Sequence, residues 1–172
     1  MKIKNIILVL CTSLTFCSCS DWLDVRPNNQ VDGEDLFNSG NGYRIALNGI
    51  YKQMSSQYLW GEELTWGMAD VLGQNYTKSN LGNTDSKYKQ ACQYLYTDKT
   101  LEPVIQSIWS TAYNAIANCN ELIKNIESVD PTIFQGKTLE RDLIHGEALA
   151  LRAILHFEVL RFFAPSVAAD DG

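Results

Sequence analysis

Two cysteines separated by one serine, Cys17 and Cys19, stand in the stretch Phe16-Cys17-Ser18-Cys19-Ser20-Asp21, between an apolar run and a tryptophan. Thiols so placed have three uses: half of a metal clip, half of a disulfide, or a nucleophile for covalent attachment. A zinc site needs a second Cys or His pair at ligand spacing, and none follows. His145 and His156 would lie about 16 Å apart along a helix, too far to share one ion. No metal site is expected.

Attachment fits the surroundings better. Met1-Lys2-Ile3-Lys4 followed by the mostly apolar Ile6–Phe16 has the form of a secretory signal peptide. The run is about half of the roughly 20 residues that a membrane-spanning helix needs. A lipoprotein signal places an apolar residue and two small ones ahead of the acceptor cysteine, whose thiol forms a thioether to a diacylglyceryl group. Phe16, Cys17 and Ser18 precede Cys19 in that order, whereas acylation at Cys17 would put the bulky Phe16 next to the cleavage point. The expectation is a signal peptide over 1–18, lipidation at Cys19, and an extended tether over 19–33, where Pro27, Asn28 and Asn29 mark turns. An ordinary signal peptide with incidental cysteines is the competing reading.

Past residue 18 the chain keeps all 20 acidic residues but only 12 of 14 basic ones, a net charge of −8. With no basic cluster, such a surface repels phosphate backbones and excludes nucleic acid as a partner. Two cysteines remain in the body, Cys92 and Cys119. They could form one disulfide in an exported protein, or Cys119 could be a small buried thiol in a helical pattern.

Catalytic constellations are missing. There is no Gly-x-Ser-x-Gly elbow, phosphate loop or His-Glu-x-x-His. Glycoside hydrolysis needs two carboxylates at a set separation. The pairs Glu34-Asp35, Glu62-Glu63 and Asp170-Asp171 are sequence neighbours, which on a helix do not face one site, and they read as solvated charge. Neither catalytic residues nor a cofactor are expected.

The elements that must position any site are helical. Tyr43, Ala46, Leu47, Ile50, Tyr51 and Met54 recur at helical spacing over about 39–56, with Asn38 or Ser39 as N-cap. A weaker pattern covers about 60–73. Residues 74–101 read as a long polar loop interrupted by Gln93-Tyr94-Leu95-Tyr96, a short strand or packed turn. A third helix is predicted over about 102–128, with Trp109 and Tyr113 on its packing stripe, ending near Asp130-Pro131. A fourth covers about 138–163 before Pro165. The fold class is all-α, packed helical hairpins with a long loop-rich insertion. Ala153, Phe157 and Pro165 fit half of a tetratricopeptide repeat, which makes the packing TPR-like without a regular 34-residue period.

Several segments in order resemble the SusD/RagB family of outer-membrane nutrient-binding lipoproteins. They are Cys19–Pro27 (CSDWLDVRP), 46–54 (ALNGIYKQM), Ala69-Asp70, 108–126 with its Trp109-x3-Tyr113-x2-Ile116-x3-Asn120 pattern, and 146–165. The last carries Gly146-Glu147-Ala148, Arg152-Ala153 and Phe157, which match a scaffolding motif. The resemblance implies a lipid-anchored protein on the outer face of the outer membrane that captures oligosaccharides or peptides for import through a TonB-dependent, SusC-like transporter. It further implies that the helical scaffold meets the transporter while inserted loops present ligand. Family members are much longer, so residues 34–172 are expected to be the N-terminal helical part of a larger SusD-like domain.

Sugar recognition stacks aromatic faces on pyranose rings and bonds hydroxyls with carboxylates or amides. Trp60, Trp66, Tyr76, Tyr88, Tyr94 and Tyr96 crowd the loop region, and Tyr94, Tyr96 and Asp70 are the candidate glycan contacts. Glu147 and Arg152, five apart, are expected to pair across helices. The alternative function is a TPR-like scaffold lipoprotein that binds protein and no sugar; a secreted helical enzyme fragment is a third reading. Lipidation has a direct test: Cys19→Ala should abolish labelling by a palmitate analogue and move the protein out of the membrane fraction. A Cys19→Ala protein still processed and membrane-bound would sink the lipoprotein reading.

Overall fold

Ser39 converts an extended backbone into the first long helix. Its φ and ψ are −144° and 150°, and its Oγ accepts from the Gly42 N–H at 3.2 Å, which satisfies one orphan donor of the first turn. In the computed structural model residues 33–82 and 86–165 are described. The expected signal segment 1–18, the acceptor Cys19, the tether up to residue 32, and the Asp170-Asp171 pair lie outside them. Gly33, expected to end the tether, instead opens a short helix.

The elements are α1 (Gly33–Leu36), α2 (Gly40–Met54), α3 (Met68–Leu72), α4 (Ser86–Ala91), α5 (Glu102–Glu127), a 3-10 turn (Pro131–Ile133) and α6 (Lys137–Phe163). Among the described residues there is no strand, so the all-α reading holds. Three long helices, α2, α5 and α6, form the body.

Side-chain pairs give their register. Glu127 lies beside His145 at 3.9 Å, Arg152 donates to Asn120 at 2.9 Å, and Trp109 meets Phe163 edge-on at 4.9 Å. Each step back along α5 is a step forward along α6, so the two are an antiparallel hairpin. Arg44 pairs with Glu140 at 2.5 Å and Tyr51 donates to Glu147 at 2.9 Å, which runs α2 parallel to α6. Tyr43 donates to the Asn125 carbonyl at 3.1 Å, and Asn118 donates to Gln53 at 2.8 Å, which runs α2 antiparallel to α5. Glu147 and Arg152 do pair across helices, as their spacing implied.

The core lies between these three helices. Leu47 and Ile50 of α2 bury against Ile108, Ile116 and Leu122 of α5 and Leu155 of α6. Each such side chain contributes roughly 1.5–3 kcal/mol on leaving water. Small residues, Ala112, Ala115 and Ala148, are also fully buried and let the helices approach. At the entry to α2 a Cβ on Gly40 would sit 2.8 Å from the Ile133 carbonyl oxygen, so only glycine lets the 3-10 turn close over that end.

The helices expected over 39–56, 102–128 and 138–163 appear within a residue or two. The one expected over 60–73 does not. Residues 55–67 are turns, held by wide backbone bonds such as Trp60 N–H to the Met54 carbonyl and Glu63 N–H to the Gln57 carbonyl, both 3.0 Å. A Cβ on Gly61 would stand 2.5 Å from the Ser55 carbonyl oxygen, closer than an α-helical turn needs. Only Met68–Leu72 is helical there. The loop expected over 74–101 contains α4, and Gln93–Tyr96 is a turn, not a strand.

The packing yields a contrast. Leu155→Ala, at a site with no exposure, should lower unfolding free energy in urea by about 2–5 kcal/mol. Leu139→Ala, on the same helix but 71% exposed, should change it by less than about 0.5 kcal/mol.

Candidate functional site

Within the loop region a buried carboxylate ties α3 to α4. Glu63 is 1% exposed. It accepts from the Met68 N–H at 3.1 Å, capping α3, and from the Lys87 ammonium of α4 at 2.7 Å. Its neighbour Glu62 accepts from the Tyr88 hydroxyl at 2.5 Å and from Lys87 at 3.3 Å. A Cβ on Gly67 would come within 2.8 Å of the Tyr88 hydroxyl and 2.9 Å of Glu63 Oε2, so glycine is needed for the clip to close.

Titration follows from these contacts. The Tyr88 hydrogen bond holds the Glu62 carboxyl below the usual range, with Lys87 adding to the effect. Burial works against the Lys87 ammonium, but the two carboxylates outweigh it and its pKa is raised. Tyr88 is pushed far up by burial and by the adjacent carboxylates, so it remains a neutral donor. Glu62-Glu63 had read as solvated charge; in the folded protein it is a paired, largely enclosed structural cluster. Glu63 has donors on both carboxylate oxygens, and Glu62 has two on its Oε1.

Beyond the clip, α4 leads into the turn that carries Tyr94 and Tyr96. The Tyr94 and Leu95 N–H groups bond back to the Ala91 and Gln90 carbonyls. Tyr94 adopts φ 57°, a left-handed conformation that costs a non-glycine residue about 1–3 kcal/mol and persists only where surroundings impose it. Gln74, just after α3, has φ 61°, and its Nε2 donates to the Tyr94 hydroxyl at 2.9 Å. Lys78 donates to Gln93 at 3.1 Å, and the Cys92 thiol points at the Tyr76 carbonyl at 3.6 Å. Residues 74–78 and 92–94 are thereby stapled together.

The staple presents two rings to solvent. Tyr94 and Tyr96 are 50% and 48% exposed, with centroids 6.2 Å apart and planes at 56°. Burial, then Tyr94, raises the Tyr96 pKa, so it stays a neutral phenol. Tyr96 also borders a cavity of about 350 Å³ lined by Met68, Leu72, Ile105, Ile108, Phe162 and Phe163. Asp70, the third candidate, belongs to the same cluster but touches neither ring; its carboxylate accepts from Asn75 Nδ2 at 3.0 Å. The structure therefore brings Tyr94 and Tyr96 together and keeps Asp70 one helical turn away from Gln74, the residue that holds Tyr94.

Other sequence candidates divide. Trp66 and Tyr76 are exposed, while Tyr88 is buried in the ion cluster. Trp109 and Tyr113, expected in the core, are 43% and 40% exposed and pack on each other at 4.6 Å. The core stripe of α5 runs through Ile108, Ala112, Ala115 and Cys119, and positions 109 and 113 sit one residue, about 100°, to its side. Cys92 and Cys119 are both free thiols, which closes the disulfide question in the negative. Gln74 was missed: a lone glutamine after a glycine carries no sequence signal, and only its positive φ and its partner mark it.

Among the described residues no group of three His, Cys, Asp or Glu side chains could hold a metal ion, and no helix is long and apolar enough to cross a membrane. What the site offers is a rigid, uncharged pair of phenols on a loop. Residues 21–171 match the model of a SusD-like family described as starch-binding and associating with the outer membrane. The chain belongs to this SusD-like family. It is similar to SusD-like protein P2 of Formosa agariphila, 25% identical over 162 residues, which cover 94% of this chain and 29% of that protein. The chain thus spans less than a third of the length of the relative it matches. No solved structure is a significant match.

The clip makes its own prediction. Lys87→Met should destabilise the fold by about 3 kcal/mol in urea, because Glu63 then stays buried without its cation. Adding Glu63→Gln should recover part of the loss, since an amide oxygen still accepts from Met68. A double variant no more stable than Lys87→Met would show that the pair does not act as a unit.

Proposed function

We propose that this SusD-like chain is the ligand-capturing part of a lipid-anchored protein at the outer membrane, which takes up glycans for import through a TonB-dependent, SusC-like transporter. Tyr94 and Tyr96 form the sugar platform. The observation that carries this is the pair of exposed rings held by a strained Tyr94 backbone and by Gln74. Strain kept at an exposed aromatic turn, with no core to gain from it, fits a surface shaped for a ligand.

The chemistry suits a neutral saccharide. Two phenol faces at a fixed angle pack on the C–H faces of sugar rings, and the hydroxyl of Tyr96 meets ring hydroxyls as donor or acceptor. Asp70 and Asn75, bonded to each other, stand in the same loop cluster as further partners for hydroxyls. The turn is fixed before ligand arrives, which removes an ordering cost from binding. The reading includes no reaction, because the acidic groups of the region are consumed by Lys87, Tyr88 and Asn75. Family membership supports glycan as the ligand class, and the acidic net charge suits a neutral ligand over an anionic one.

Electrophoresis through gels with and without soluble starch tests the platform, on protein whose Cys19 is replaced by Ala. The parent should be retarded by starch. Tyr96→Ala should weaken the interaction about tenfold, the worth of one lost stacking contact. Gln74→Ala should weaken it less, by loosening Tyr94. Retardation unchanged in Tyr96→Ala removes that residue from the site, and a parent that ignores starch and a panel of other glycans favours the protein-binding scaffold instead.

A further inference from the structure

Three elements meet around one hollow beside Tyr96. Met68 and Leu72, one turn apart on α3, form its first wall. Ile105 and Ile108 of α5 form the second, and Phe162 and Phe163 at the end of α6 form the third. The main contacts of α3 are with α4, so it stands beside the α5–α6 hairpin without closing on it. The space left between them is about 350 Å³.

The lining selects against a sugar and for an apolar ring. Tyr96 brings a hydroxyl; the other lining side chains are hydrocarbon or thioether, and none is charged. A pyranose buried here would leave most of its hydroxyls unbonded, which costs more than its C–H faces gain. Two phenylalanines and the Met68 sulfur suit an aromatic guest, because rings pack offset or edge-on and thioethers favour ring edges. The walls are set before a guest arrives. Trp109 meets Phe163 edge-on at 4.9 Å, Arg161 lies over the Phe162 ring at 4.9 Å, and Met68 and Ile108 are fully buried. Size agrees as well. An apolar cavity of about 150 Å³ lined by Leu, Ile and Phe holds benzene, so this one has room for a substituted ring and its linking atoms.

We propose that the ligand of the Tyr94–Tyr96 turn is a glycan bearing an aryl substituent, whose ring enters this hollow while an adjoining sugar lies on the two tyrosines. Continuity carries the assignment: Tyr96 borders the hollow, and its ring centroid stands 6.2 Å from that of Tyr94. The Tyr96 hydroxyl is the hydrogen-bonding side-chain group at this border, and it suits the ether or ester that joins ring to sugar. The acidic net charge of the chain favours an uncharged aryl group over one that carries a carboxylate. The inference rests on the sugar-platform reading and adds the class of substituent to it.

Matched methyl, phenyl and hexyl glycosides of maltose, titrated calorimetrically into the 172-residue chain carrying Cys19→Ala, provide the test. The phenyl glycoside should bind roughly tenfold tighter than the methyl one, the worth of burying part of an aromatic ring. The hexyl glycoside should gain less, because its chain loses rotor freedom on entry. Ile105→Trp fills the hollow and should bring the phenyl and methyl glycosides to equal affinity. Leu72→Trp should do the same from the α3 wall, with circular dichroism checking that each variant keeps its helices. Tyr94→Ala should weaken both glycosides by one common factor. A methyl glycoside that binds as tightly as the phenyl one overturns the inference and leaves the platform standing. So does a phenyl advantage that survives both cavity-filling substitutions, or a hexyl glycoside that matches the phenyl one. A parent that binds none of the three overturns the platform reading, and this inference with it.

Discussion

The carboxylate of Glu63 is the point on which the loop region depends. Gln74, Lys78, Cys92, Gln93, Tyr94 and Tyr96, which hold or form the candidate site, all follow it in the chain. A short helix such as α3, with five residues, is unstable alone. It exists because Glu63 satisfies its first N–H and because Met68 and Val71 bury against the body. The same carboxylate draws in Lys87, and Lys87 fixes α4, from which the turn with Tyr94 and Tyr96 departs. Burying a charge is costly unless it is paired and hydrogen-bonded, so the arrangement is all-or-nothing. That property leaves few intermediate geometries for the two rings of Tyr94 and Tyr96.

Long elements were legible in the sequence because their signal is summed over many residues. The α5 and α6 patterns each extend over more than twenty positions, and single misplacements do not obscure them. The segment from 55 to 101 was not legible for a matching reason. Its structure rests on contacts between residues some 25 apart, such as Lys87 with Glu62, and on carbonyls that crowd Gly61 and Gly67. Helical periodicity at Leu64, Met68, Val71 and Leu72 was real, but in 60–67 those side chains reach the core from turns. The candidate site was half legible: aromatic residues in a polar stretch mark Tyr94 and Tyr96, whereas the Gln74 contact and the left-handed backbone depend on the fold.

The misreading of Trp109 and Tyr113 has the same root as the unexplained outer face of α6. Helical spacing alone places an apolar residue on a packing stripe without telling its buried side from its edge. Trp109, Tyr113, Phe157 and Leu160 are all apolar at plausible core positions, and all are exposed. Scattered apolar side chains on a surface need no account, but a continuous stripe on one helix does. For Trp109 and Tyr113 the periodicity is sound, and the buried stripe of α5 lies one residue to their side.

The string from Gly146 to Phe157, which carries most of the resemblance to the SusD-like family, becomes intelligible in these terms. Ala148 lies at zero exposure, where a larger side chain would push α6 off its neighbours. Glu147 fastens α6 to Tyr51 of α2, and Arg152 fastens it to Asn120 of α5. Gly146, Ala153 and Phe157 do neither, and all three point outward. One stretch of twelve residues therefore addresses three directions at once: two polar bonds on the flanks, a close approach within, and a shaped apolar surface without. A motif serving only the described hairpin would leave the outward positions free to be polar. Their apolar and small character gives α6 a second apolar face, opposite the one that α2 and α5 cover.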